Sequence, residues 1–204
     1  MDNTENIEKK KTNTKEPHRL NKRVTDLIYI ALFTAIIAVC SQISIPTAIP
    51  FTLQTLGVFL AGGLLGWKRG TASVLVYLLL GLAGVPVFSN FKSGLGALLG
   101  VTGGYIIGFI FTAFIVGLMC DKLGRKLWVI IVSSVLGLAV CYLFGTVWFV
   151  IVWNGNAELV SSKGSMSFLA AVGTCMVPYL PFDAAKIAVA AIIINRLDKT
   201  KIMR

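Results

Sequence analysis

Long apolar runs decide what this chain can become. Between Leu27 and Ile194 they are helix-length and hold few ionisable side chains, and about 20 mostly apolar residues let a helix cross a bilayer. The 204 residues are 56% apolar and 14% charged, with a mean hydropathy of +0.81, whereas soluble domains hold about 45–50% apolar and about 25% charged residues. Lipid tolerates only helices or closed barrels, because each backbone polar group needs an internal partner. Barrel strands alternate polar and apolar residues over about 10 positions, and that alternation is absent here. The expected fold class is therefore all-α, an integral membrane bundle of six transmembrane helices at about 26–45, 51–66, 70–87, 100–120, 127–153 and 176–196. The apolar stretch 168–177 either extends the last span or forms a re-entrant piece.

Charge placement gives an independent reading of topology. The formal net charge of +10 raises the question of nucleic acid, yet no basic face recurs through the apolar body, so nucleic acid is not expected as a partner. With the N-terminus in the cytoplasm, sixteen of the nineteen Lys and Arg residues fall inside: seven in the N-terminal tail, Lys68, Arg69, Lys122, Arg125, Lys126, Arg196, Lys199, Lys201 and Arg204. Only Lys92 and Lys163 fall outside, and Lys186 falls within the sixth span. Such a bias orients membrane proteins and favours contact with anionic lipids. Both termini are thus expected to be cytoplasmic, in a multi-pass protein with a disordered basic tail over residues 1–24, a membrane domain over 25–198 and a short tail over 199–204. A cleaved signal peptide is not expected, because the first apolar run continues to spanning length.

Few residues can carry chemistry. Cys40, Cys120, Cys141 and Cys175 sit in or beside apolar runs without CxxC spacing, which reads as small buried hydrophobes and no metal site. His18 is in the tail, and no HExxH, GxSxG or GxxxxGK[ST] pattern occurs. The ionisable pair inside a span is Asp183 with Lys186, three residues apart and so on one helix face. Charges at membrane depth cost at least a few kcal/mol and face a cavity or a partner; the competing reading is a mutually neutral pair that only staples helices. Pro178 and Pro181 just upstream put the pair in the outer turns, which favours a site. A second cluster, Phe51 to Thr55, offers Gln54 and two hydroxyls. The outer connection through Phe88, Asn90 and Gly94 mixes aromatic, amide and small residues, as a site wall does. Phe51, Phe88 and Tyr105 are candidate apolar walls. Ala31 and Ala35 leave a smooth strip on the first span where another helix can lie.

At these clusters the chain resembles the BioY family, the biotin-specific substrate-binding (S) components of energy-coupling-factor (ECF) transporters. The resemblance is carried by PFTLQTLGVFLAGGLLGWKRG from Pro50 to Gly70, LLLGLAGVPVF from Leu78 to Phe88, SGLGALLGVTGGYIIGF from Ser93 to Phe109, and PYLPFDAAK from Pro178 to Lys186. It implies the six-helix S-component fold in the cytoplasmic membrane of a prokaryote, with biotin captured on the outer side. It further implies partners, an EcfT-type transmembrane coupling subunit and two ABC ATPase subunits, with ATP bound only by the latter. By the same resemblance Asp183 and Lys186 contact the vitamin, and Ala31 and Ala35 match the alanine motif that docks S components on the coupling subunit. The chain departs from the family where Ser89-Asn90-Phe91-Lys92 replaces a glycine-rich stretch and Val101 replaces Pro. Residue chemistry agrees: a carboxylate accepts the ureido N–H groups and an ammonium donates to a ureido or carboxylate oxygen. The expectation is biotin capture and uptake, with no cofactor and no catalysis. The chief rival, a small membrane enzyme using Asp183 and Lys186 as acid and base, suffers from the poverty of polar groups around them.

Overall fold

The computed structural model of the protein describes residues 21–45 and 51–199. Most of the expected basic tail, the loop at 46–50 and residues 200–204 lie outside the described residues. The first helix, α1 (Lys22–Gln42), begins four residues before the expected span, because the Asn21 side chain accepts the Arg23 N–H and caps it. A two-residue antiparallel ribbon follows, β1 (Ser44–Ile45) with β2 (Phe51–Thr52), in the register Ser44↔Thr52 and Ile45↔Phe51. The fold is helical with this small addition.

The stretch α2 (Gln54–Leu82) is two helical limbs that meet at Gly66, where φ is 78° and ψ −179° and the chain doubles back. Nine residues of straight helix span about 13 Å, yet a Cβ on Gly70 would stand 2.7 Å from the Ala61 carbonyl oxygen. Gln54 Nε2 likewise donates to Tyr77 Oη over 2.7 Å although 23 residues separate them. The second and third expected spans are therefore the two limbs of a hairpin with Lys68 and Arg69 at its bend. Gly66 adopts backbone angles open essentially to glycine alone, and a Cβ there would run into the Asp121 carboxylate. Gly66→Ala is expected to destabilise the protein by at least about 1 kcal/mol, seen as a lower thermal midpoint in detergent.

Beyond a 3₁₀ turn (Ser89–Phe91) and short α3 (Gly94–Leu99), α4 (Gly103–Leu123) packs on both α2 and α5 (Leu127–Gly155). The connection after α5 contains α6 (Ala157–Lys163), and α7 (Phe168–Cys175) leads through a second 3₁₀ turn (Val177–Tyr179) into α8 (Leu180–Lys199). The sixth expected span is thus broken upstream of Leu180, where Pro178 has no N–H to continue α7's ladder. Four helical stretches among the described residues are long and apolar enough to cross a membrane: Lys22–Gln42, Gly103–Leu123, Leu127–Gly155 and Phe168–Lys199.

The outward faces carry apolar side chains, among them Leu27, Leu79, Leu143, Ile151 and Ile192, all more than half exposed. Exposed apolar area on that scale fits lipid rather than water. At the end of the bundle that holds the α2 bend, Arg125 knits elements together. Its guanidinium donates to the carbonyls of Gly63 (2.6 Å) and Leu64 (3.0 Å) and to Asp198 Oδ1 (3.0 Å), joining α2 and α8 to the connection between α4 and α5. Asp121 accepts the Trp67 N–H at 3.0 Å, fixing the bend to α4.

Candidate functional site

The opposite end of α8 holds the ionisable pair. Pro181 suits the first turn, where its missing N–H has no helical partner, and three residues of helix set Asp183 and Lys186 one above the other. Lys186 Nζ lies 2.9 Å from Asp183 Oδ1, and the two residues are only 6% and 3% exposed. Each also reaches other elements. Lys186 Nζ donates to Thr55 Oγ1 on α2 at 3.1 Å, Thr55 Oγ1 stands 3.5 Å from Asp183 Oδ1, and the Tyr142 hydroxyl on α5 donates to Asp183 Oδ2.

These contacts leave capacity unspent. An ammonium has three N–H donors, of which Asp183 and Thr55 take two; a carboxylate has about four acceptor positions, and Lys186, Thr55 and Tyr142 address three. The pair borders a small hollow of about 80 Å³. Its walls come from β2 and the start of α2 (Phe51, Thr52, Thr55), α4 (Tyr105, Phe109), α5 (Leu138, Cys141, Tyr142), the end of α7 (Cys175) and the turn before α8 (Tyr179). Phe51 covers the ammonium, its ring centroid 4.2 Å from Lys186 Nζ, and is itself packed by Phe182 at 4.7 Å and stacked on Tyr179 at 6.2 Å. The cation thus keeps a π face where it lacks an oxygen. On the far wall Tyr105 meets Tyr142 edge to face at 6.2 Å and shares a hydrogen bond of 3.1 Å with Thr146.

Four of the eight expected contact residues, Asp183, Lys186, Phe51 and Tyr105, line this hollow; the other four do not. Gln54 is buried on another face of α2, where with Tyr77 it braces the limbs, and Tyr77 Oη passes the chain on to the Val87 carbonyl at 3.0 Å. Phe88 is 1% exposed, wedged against Tyr77 and beside Gly81. It borders a second hollow of about 430 Å³ with Ser89, Lys92 and Ser93. Asn90, in left-handed backbone (φ 58°), accepts from Ser44 Oγ at 3.1 Å, and Gly94 opens α3; neither lines either hollow. Ala31 and Ala35 are exposed on the outer side of α1. Among the described residues, His, Cys, Asp and Glu form no cluster able to hold a metal ion. Residue-level reading of the sequence passed over Tyr142; a tyrosine deep inside an apolar span, away from the interfacial belts where tyrosines gather, was the available signal.

Comparisons with known proteins agree on one family. The profile of the BioY family matches residues 9–202. The "Biotin transporter BioY" of Thermotoga maritima is 42% identical over 179 residues, covering 87% of this chain and 98% of that protein. The protein of the same name from Lactococcus lactis subsp. cremoris is 33% identical over 188 residues, covering 88% and 93%. Among solved structures, the S-component for biotin from an ECF-type ABC transporter superposes with a TM-score of 0.76 at 30% identity, covering 90% of this chain and 95% of that one.

Proposed function

The chain belongs to the BioY family, and on that premise we propose that it captures biotin as the substrate-binding component of an ECF-type importer. It is a transport component and not an enzyme. The observation that carries the biotin site is the buried Asp183–Lys186 couple, which borders an aromatic-lined hollow with an acceptor position and an N–H still to spare. A urea-like ring has the complementary edge: N–H donors for Asp183 and an oxygen for Lys186. Phe51, Tyr105, Phe109 and Leu138 supply an apolar enclosure for the thioether ring.

In this reading the two limbs of α2 join the four long apolar stretches to make six passes, with both termini on the cytoplasmic side, as the basic residues favour. The pair then stands toward the outer face, and the Arg125 knot toward the cytoplasm. The exposed Ala31 and Ala35 on α1 offer a flat strip for a coupling subunit of the EcfT type, itself driven by two ABC ATPases. The protein works in the cytoplasmic membrane of a prokaryote and needs no cofactor.

Native mass spectrometry of the gently purified chain is expected to retain biotin in a one-to-one complex, and vesicles containing this chain alone to accumulate none. Adding the coupling subunit and ATPases should give ATP-dependent uptake. A chain that fails to hold biotin, or that concentrates it unaided, contradicts the proposal.

A further inference from the structure

The Tyr142 hydroxyl has one hydrogen, and the geometry commits it. Its partner, Asp183 Oδ2, belongs to a carboxylate that Lys186 neutralises at 2.9 Å, and an ionised carboxylate has only lone pairs to offer. The proton between them therefore comes from the tyrosine. The phenolic oxygen is left with lone pairs alone for anything entering the hollow, which it lines beside Asp183. The ring cannot readily turn away, because Tyr105 packs edge-on against it and is itself tied to Thr146, one helical turn along α5 from Tyr142. Polarity is thus fixed from two sides.

We propose that Tyr142 is a specificity-determining residue: with Asp183 it forms a two-acceptor edge that demands N–H donors of the ligand, while Lys186 supplies the one donor. The inference deepens the biotin reading and rests on it. A ligand presenting an alkylated nitrogen or an oxygen there sets lone pairs or carbon against lone pairs, and a buried acceptor goes unpaired. Sites built around hydrogen-bonded N–H or O–H groups reject analogues that lack them far more strongly than apolar pockets reject a missing methylene.

The test is calorimetric titration of the full chain in detergent with biotin and its two ureido N-methyl derivatives. The unmodified chain is expected to bind biotin at least about 100-fold more tightly than one of the derivatives. Tyr142→Phe should weaken biotin about tenfold yet leave that derivative within about threefold, so discrimination narrows. Asp183→Asn, which releases the tyrosine from its fixed role as donor, should narrow the same ratio, and the double variant should lose less than the two single losses combined. The Asp183→Asn ratio serves alone if the Phe variant does not fold. A Tyr142→Phe loss equal for biotin and both derivatives, or an unchanged biotin affinity, overturns the inference and leaves the biotin reading standing. No biotin binding by the unmodified chain removes both.

Discussion

Lys186→Ala lowers biotin affinity by at least about 2 kcal/mol, roughly 30-fold, in calorimetry on the purified chain. On the proposed reading the lysine gives the ligand its N–H donor, and it balances Asp183, 2.9 Å away and 3% exposed. Without it an anion stays buried among Tyr142, Thr55 and apolar walls, and breaking a buried pair from one side costs about 3–5 kcal/mol. Stability should therefore fall together with binding. A ligand that has to enter beside an unbalanced carboxylate meets a site already deformed or protonated. Unchanged affinity in this variant would remove Lys186 from the site.

Asp183→Asn is the second large effect, again at least about 2 kcal/mol in affinity, for a different reason. The amide preserves shape but replaces one acceptor oxygen with an NH₂ group, which meets either Tyr142 or the ligand donor-to-donor. Lys186 simultaneously loses its counter-charge at membrane depth. Thermal unfolding measured beside binding separates the two consequences. A variant that unfolds early but binds at full affinity would reduce the pair to a helix staple.

Both residues were legible in the sequence because charge stands out against an apolar background: no other acid–base pair is set inside a span. The hairpin at Gly66 was legible for a similar reason, with Lys68 and Arg69 interrupting one long apolar stretch. Rotation about each helix axis was harder to read. Gln54 and Thr55 are neighbours some 100° apart on α2; the sequence favoured the amide, but the side chain that reaches the pair is Thr55, while Gln54 turns to Tyr77. Helix α5 is apolar on every side, so no periodicity marks the face that carries Tyr142. Residue type alone points to Asn90 and Gly94, in a segment whose path depends on left-handed backbone at Asn90 and Phe91, which composition does not specify. The short elements in the connections, α3, α6 and the ribbon, are too brief for hydrophobic patterning to declare them.

An experimentally determined structure of the chain with biotin bound tests most directly where the vitamin sits. It should place ureido nitrogen and oxygen atoms within hydrogen-bonding reach, about 3 Å, of Asp183 and Lys186, with the bicyclic ring inside the hollow beneath Phe51. Biotin found in the second hollow beside Lys92 and Ser93, with the Asp183–Lys186 contact closed and unvisited, would contradict it.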